Sequence, residues 1–375
     1  MDRRVLIPVP AYAQENEAGG QNLDGLRACL RATGATISYP ALSLFSGDAF
    51  LFTYDDAPVF EPLRELSPLD TMTTGARGCG ANGRWLVNRP LNETVLAIKD
   101  SLDQGIPVIA PFFGDSHFYT VVAGYQGDQL LPLPPGSAEP RVATVTEWHG
   151  PVAGPHGWAD NPVFLPNPEA PAGWSAAGRE ARAFGRAVAL LGGGLLPYVA
   201  NAGSQEYSAV PLAGRLAAHG LAALDLLMKD LRYSEWISNF PFIWRIDAQV
   251  GLWAHRRAAL AAWLGEDGSS KSLAGSLQAA VDTARQLVSW VWRKETAGFA
   301  RATEVNAHCA QAPGFVFWVK LTEHELEGLR HPTIKTPWGT AVVVDTPKRR
   351  KQAVAMVQQL RAADEQLLEA FKGLA

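Results

Sequence analysis

Cysteine is scarce in this chain: only three of its 375 residues are cysteine, at positions 29, 79 and 309. Three cysteines cannot form a closed set of disulfides, and none stands at the C-x-x-C spacing of redox or zinc motifs. A secreted fold held together by disulfides is therefore excluded as a class. Unpaired thiols are typical of a reducing compartment, so we expect a cytoplasmic protein.

Long apolar runs are missing as well. No stretch approaches the roughly 18 consecutive apolar residues that indicate a membrane span, so we expect no membrane partner. The apolar residues near the start of the chain are too few for a signal peptide and are interrupted by Pro8 and Pro10. Val5, Ile7 and Val9 alternate instead, which predicts a first β-strand.

Positive charge is not concentrated anywhere on the chain. The formal net charge is −4, and lysine and arginine are scattered, which argues against nucleic acid as the main partner. The densest basic run, Lys348 to Lys351, opens a predicted helix and is interpreted as a solvated helix end. His324 and Glu325 begin like a zinc-protease helix, but Gly328 stands where the second histidine is needed. We therefore expect no metal and no other cofactor.

What the chain does contain is ample core-forming sequence. Apolar residues make up 47% of it and charged residues 19%, as in an ordinary globular protein. Its pattern of elements predicts an α+β fold with three parts. These are a mixed α+β domain over 1–165, a helical domain over 166–300, and C-terminal strands with a helix over 301–375.

Local patterns predict the individual elements. Residues 107–112 and 118–125 have the composition of buried strands, and 348–373 that of a long final helix. Leucines at helical spacing predict one helix over 207–232. Glycines at 75, 78, 80 and 83 predict a loop.

The segment 21–34 is the clearest signal in the first domain. Leu23, Leu26 and Leu30 form an apolar stripe, Asn22 is suited to cap the first turn, and Gly34 provides a stop, which together predict a helix over 23–33. Cys29 lies on the same side as the leucines, so we expect its thiol to be buried and structural. The first-turn amides of such a helix lack intrahelical acceptors, and Asp24 suits the positive end of the helix dipole.

A second feature gives this helix start a possible chemical role, beyond that of a surface helix that only packs on a sheet. His117 directly precedes the strand predicted over 118–125, and Asp115 lies two residues before it. A histidine at a strand edge facing a helix N-terminus is the arrangement of thiol proteases and acyltransferases, in which the imidazole acts as base.

Three segments carry a family resemblance: Tyr39 to Phe50, Gly105 to Ile109, and His117 to Tyr125. They resemble the C39-like branch of the papain-fold proteins and the N-terminal domain of butirosin-type acyltransferases. The latter move an acyl group from a carrier protein to an aminoglycoside amine. The resemblance covers about residues 1–135, and Gly220 to Leu224 and Arg256 to Leu264 are similar in style to the helical tail of that family.

The resemblance implies a papain-like first domain with a catalytic site at the start of the first helix. The family's nucleophilic cysteine falls on Gln21, counting back from the glycine that ends the helix, and Asp24 matches a polar position of the next turn. Leu130 to Pro135 offers no carboxylate or amide to complete a triad. Only His117 of that set remains, so the triad is degenerate.

Two functions from different classes remain open. In the first, the chain is a biosynthetic enzyme of small-molecule acyl or amide transfer or hydrolysis, with His117 as base and Asp115 beside it. Its substrate is a small molecule or an acyl carrier. Gln21, with the amides of Asn22 and Leu23 next to Asp24, would then stabilise an oxyanion.

Cys79 is a candidate displaced nucleophile for that enzyme, because the flanking Gly78 and Gly80 are expected to leave it accessible. In the second function, the papain fold is kept without catalysis, as a ligand- or partner-binding protein. A homodimer is compatible with either function.

Overall fold

A computed structural model gives the fold of most of the chain. It describes residues 3–5, 21–55, 71–86, 89–112, 118–127, 129–133, 163–167, 176–195, 199–200, 208–209, 217–233, 246, 250–266, 270–294, 299, 301–319, 324, 327–336 and 339–375. The fold is mixed, with helices and mainly antiparallel sheets, as an α+β class requires. The division of the chain at residues 165 and 300 stays a prediction.

Helices dominate the second half of the chain. In chain order they are α1 (Gln21–Ala32), α2 (Tyr39–Ser46), α3 (Thr71–Gly78), α4 (Leu91–Asp103), α5 (Ala176–Gly192), α6 (Gly220–Tyr233), α7 (Gly251–Glu266), α8 (Lys271–Val291), α9 (Ala302–Gln311) and α10 (Pro347–Lys372). A 3-10 turn, Asp48–Phe50, follows α2.

The strands form sheets of two to six members. They are β1 (Arg3–Val5), β2 (Thr53–Asp55), β3 (Asn82–Leu86), β4 (Val108–Phe112), β5 (Phe118–Gln126), β6 (Gln129–Leu133), β7 (Val163–Asn167), β8 (Gly194–Leu195), β9 (Val199–Ala200), β10 (Ser208–Ala209), β11 (Ala217–His219), β12 (Trp292–Lys294), β13 (Val316–Val319), β14 (Thr333–Thr336) and β15 (Gly339–Val343). The strands predicted over 107–112 and 118–125 are confirmed as β4 and β5.

The largest sheet is antiparallel and has the order β1-β5-β4-β7-β3, with β6 also paired to β5. Side chains alternate between its two faces. Ile109, Val121 and Phe164 lie in the core cluster that includes α1. Val108 and Val122 lie in the opposite cluster, which includes α4. The sheet is thus covered by α1 on one face and α4 on the other.

Helix α1 lies directly on the β4–β5 hairpin, as its apolar stripe predicts. Leu26, Cys29 and Leu30 are fully buried in the cluster it shares with the sheet. A Cβ atom placed on Gly25 would lie 3.5 Å from Cγ2 of Val121. The first two turns of the helix therefore pack against the middle of β5.

The helices of the second half pack around two further cores. One core joins α6 to parts of α7, α8 and α10, and the other joins α5 to the remaining turns of those three helices. Trp253 is buried in the first, and Phe50 of the 3-10 turn is buried in the second. The leucine stripes of these helices are buried against one another, as their spacing predicts.

The C-terminal sheet has the order β12-β13-β15-β14. Val316 and Val343 point into the core shared with α8 and α10, whereas Phe317 and Val342 pack against α9 on the other face. The last helix, α10, matches the predicted range 348–373. Thr346 caps it by accepting a hydrogen bond from the Arg349 amide at 3.3 Å.

Two local predictions were wrong. The glycine-rich segment at 75–83 was predicted to be a loop, but Thr71–Gly78 forms helix α3 and Asn82–Leu86 forms strand β3. The segment 207–232 was predicted to be one helix, but α6 begins at Gly220 and is preceded by β10 and β11. In both places pairing or packing with distant segments overrides the local pattern.

Among the residues described, no helix combines the length and apolar character needed to cross a lipid bilayer.

Candidate functional site

The predicted site begins at the first turn of α1. The helix includes Gln21 and Asn22, so Asn22 lies inside the first turn and not before it as a cap. The amides of Gln21, Asn22 and Leu23 are first-turn amides, which have no acceptor within the helix. Free backbone N–H donors are thus present at the position where we predicted an oxyanion site from the sequence.

Two side chains of the first turn are described, those of Leu23 and Asp24, and both point into the protein. Leu23 is 2% exposed and belongs to the core beneath α1, so only its backbone can meet a ligand. Asp24 is 1% exposed, and its Oδ1 lies 3.5 Å from Nη2 of Arg27, one turn along the helix. The Asp24 carboxylate is therefore held internally and is not an open ligand group.

Asp115 and His117 lie outside the described residues, between β4 and β5. The strand that follows His117 is described: Phe118 pairs with Phe112, and Val121 pairs with Ile109. Both Val121 and Ile109 face α1. The segment that carries His117 therefore connects two strands that pack beneath α1.

Cys29 and Cys79 have different surroundings, but neither thiol is activated. Cys29 is fully buried, and burial raises the pKa of its thiol. This confirms the prediction of a structural thiol. Cys79 is half-buried just beyond α3, and burial raises its pKa to about 12, despite the nearby positive charge of Arg179. Both thiols are protonated at neutral pH.

The glycines beside Cys79 lie close to neighbouring side chains, and Cys79 itself is half-buried. A Cβ atom on Gly78 would lie 2.3 Å from Cβ of Phe45, and one on Gly80 would lie 2.9 Å from Nη2 of Arg179. The space that the glycines leave is thus occupied by neighbouring side chains. Cys79 also follows a helix C-terminus, whose negative dipole end disfavours a thiolate.

A buried polar cluster extends inward from the first turn of α1, and we call it the α1 polar cluster. Its members are Asp24, Arg27, Tyr39, Asp48 and Arg256. Arg256 of α7 contacts Asp48 with two nitrogens: Nη1 lies 2.8 Å from Oδ1, and Nε lies 2.8 Å from Oδ2. The cluster contains two carboxylates and two guanidinium groups, so its formal charges balance.

Tyr39 links the two ion pairs of this cluster. The guanidinium carbon of Arg27 lies 6.0 Å from the centre of the Tyr39 ring. Burial raises the pKa of the Tyr39 hydroxyl. Arg256 opposes the shift, and Asp48 and Asp24 add to it. The phenol is thus protonated and lies within the electrostatic reach of both aspartates.

Sequence reasoning missed most of this cluster. The pair Asp24 and Arg27 carried a signal, because opposite charges three residues apart on a helix are neighbours. Arg256 carried none, since it lies 208 residues from Asp48 along the chain. In the described part of the chain, no group of three or more His, Cys, Asp or Glu side chains is placed to hold a metal ion.

No protein-family model matches the chain, and no curated protein sequence matches it.

Proposed function

We propose that this chain is a divergent papain-fold enzyme of small-molecule acyl or amide transfer or hydrolysis. The first turn of α1 serves as the oxyanion site, and His117 serves as the base. The observation that carries the proposal is the packing of α1 on the β4–β5 hairpin. Gly25 of α1 lies against Val121, three residues into the strand that His117 precedes.

The register of β5 supports the position proposed for His117. Val121 and Ala123 belong to the cluster beneath α1, whereas Val122 belongs to the opposite cluster. Strand side chains alternate with a period of two, so Val121 and α1 share one side of β5, and the proposal has the His117 base act on that side. Residue 21 lies one turn before Gly25, about 6 Å along the helix axis.

The proposed chemistry needs no protein nucleophile. His117 would take a proton from an amine or water as that nucleophile attacks the acyl carbon, and the carbonyl oxygen would become an oxyanion. The amides of Asn22 and Leu23 would donate to that oxygen. When the oxyanion collapses, the bond to the leaving thiol, amine or alcohol breaks, and the imidazolium returns the proton to it.

The second candidate function is that of a non-catalytic papain-fold binding protein. The protonated state of the thiols favours it, because a protonated thiol is a poor nucleophile. Gln21 occupies the position of the family's nucleophile, and the thiols of Cys29 and Cys79 are both held in the protonated form. With neither of these thiols activated, the same helix start would bind a ligand or partner without turning it over.

The experiment that separates the two functions is a turnover assay on His117→Ala. The panel offers acyl thioesters with amine acceptors, and separately simple amides and esters. A general base contributes about 10²–10⁴ in rate, so the variant should lose at least about 100-fold. His324→Ala is the matched control, because His324 is exposed and lies in the C-terminal part of the chain.

Equal turnover by wild type and His117→Ala would exclude His117 as the base. Ligand binding without turnover by either protein would favour the second function.

A further inference from the structure

Strand β3 begins with Asn82 and Gly83, the only Asn-Gly pair in the chain. Asparagine is a chemically labile residue, and a following glycine has no side chain to shield its amide nitrogen from the asparagine carboxamide. Among the described strands, β3 is the last member of the large sheet, and both residues are partly exposed. Water therefore has access to this pair.

The two groups that would react are already in contact. The amide nitrogen of Gly83 donates a hydrogen bond to Oδ1 of Asn82 at 2.9 Å. When this nitrogen loses its proton, the lone pair left behind points where the N–H pointed, toward the carboxamide. The carbon to be attacked, Cγ of Asn82, is bonded to Oδ1. The fold thus holds nucleophile and target as neighbours, which favours an intramolecular reaction.

Arg77, in the last turn of α3, places a positive donor on the same oxygen. Its Nε donates to Oδ1 of Asn82 at 3.4 Å. Oδ1 gains negative charge when the nitrogen attacks Cγ, and a cationic donor stabilises that charge as it develops. A carboxylate at position 82 would also gain a guanidinium partner. Arg77 therefore favours both the reaction and its aspartate product.

Packing excludes a protecting side chain at position 83. A Cβ atom on Gly83 would lie 2.2 Å from Cζ of Phe164 in β7. Phe164 is fully buried, and its ring centre lies 5.1 Å from that of Trp85. The core beneath β3 thus requires glycine after Asn82, and the labile pair is a consequence of that packing.

We propose that Asn82 is a site of spontaneous deamidation through a cyclic succinimide formed with Gly83. The bond between the Gly83 nitrogen and Cγ forms, the bond between Cγ and Nδ2 breaks, and ammonia leaves with the proton of the attacking nitrogen. Water then opens the ring at Cγ to give aspartate, or at the main-chain carbonyl carbon to give isoaspartate. Isoaspartate adds one carbon to the main chain of β3 and so disturbs the register that places Gly83 opposite Pro166. This modification is independent of the proposed function.

The test follows the native protein at neutral pH by peptide mass spectrometry, with chromatography separating the asparagine, aspartate and isoaspartate forms of residue 82. The free peptide of residues 80–86 under the same conditions is the reference. We expect Asn82 to react at least as fast in the protein as in the peptide, because the peptide must first find the conformation that the fold holds. A slower reaction in the native protein would overturn the proposal, since β3 would then protect the pair.

Arg77→Gln tests the contact with Oδ1. It should slow deamidation by about two- to tenfold, the value of one hydrogen bond converted into a rate. Arg84→Gln is the matched control, because it removes the same charge from an exposed position directly after Gly83 and should leave the rate unchanged. Asn306 of α9, whose carboxamide makes two hydrogen bonds to the main chain, should stay intact as an internal reference. Thermal melts confirm that both variants fold, and equal rates in the two would overturn the role of Arg77.

Discussion

Arg257 and Asp364 form a fully buried ion pair that joins α7 to α10. Nη2 of Arg257 donates to Oδ2 of Asp364 at 3.2 Å, and Nε donates to the carbonyl oxygen of Ala49 at 3.0 Å. The same guanidinium stacks 3.6 Å from the centre of the Trp253 ring. One side chain therefore connects α7, α10 and the 3-10 turn after α2.

Breaking this ion pair should be costly, because a lone buried charge remains. We expect Asp364→Leu to lower the free energy of unfolding by about 3–5 kcal/mol. Arg257→Met/Asp364→Leu should recover most of that loss, since an apolar pair leaves no charge unpaired. Urea denaturation measures both variants. Asp225→Asn is the control: Asp225 is exposed and its partner Arg361 is only half-buried, so the cost should be about 0–1 kcal/mol. A single variant as stable as the wild type would contradict the role of the pair.

Two glycines with positive φ should respond differently to alanine. Gly220 (φ 58°) begins α6, and a Cβ atom there would lie 2.2 Å from the carbonyl oxygen of Leu190. Gly105 (φ 83°) has open space at the same position. Both substitutions strain the backbone of the glycine itself. Only the new methyl group of Gly220→Ala would also overlap a neighbouring backbone atom, the carbonyl oxygen of Leu190. Gly220→Ala should cost at least about 1 kcal/mol more than Gly105→Ala in thermal or urea unfolding. Equal losses would show that the contact relaxes easily.

The native thiols should alkylate slowly at neutral pH. Cys29 and Cys309 are buried, and the pKa of Cys79 is raised to about 12. Labelling of Cys79 with iodoacetamide should therefore still increase with pH above 9, whereas an ordinary thiol reaches its plateau near that pH. Rates measured on the native protein, with unfolded protein as the reference, provide the check. Fast labelling of Cys79 at pH 7 would contradict the described environment.

His219 should make the fold sensitive to mild acid. Burial lowers its pKa, although the hydrogen bond between Nδ1 and the carbonyl oxygen of Leu190 at 3.2 Å opposes the shift. The unfolded chain binds this proton below about pH 6.5, while the folded protein resists it, so stability falls as pH drops below that value. His219→Asn, which can keep a donor to Leu190, should lose less stability than wild type between pH 7.5 and pH 5.5. An identical loss would assign the acid sensitivity to other groups, such as His255.

Local sequence signals predicted the elements that depend on local spacing. The burial of Cys29 followed from its place beside Leu26 and Leu30, and the last helix followed from the composition of residues 348–373. Helix α3 was missed because its glycines are typical of a loop. The helix is stabilised by the packing of Met72 and Ala76 beneath α1, which the local sequence does not show.

Long-range relationships left no local signal. The pairing of β11 with β2 places Ala218 opposite Tyr54. Because residues 217–219 form this strand, the helix begins only at Gly220, whereas leucine spacing alone extends it back to residue 207. The contact of Arg256 with Asp48 likewise depends on how α7 packs against the segment after α2. The start of α1 was located from sequence, but its balancing charges were not.

The most direct test of the central claim is the pH dependence of alkylation of the thiol that Gln21→Cys introduces. A helix N-terminus facing a histidine base lowers the pKa of a thiol below its usual value of about 8.5. We predict a midpoint at least about one unit lower than that, which His117→Ala moves back toward the usual value. A midpoint at or above 8.5 that does not respond to His117→Ala would contradict a papain-like site at the start of α1.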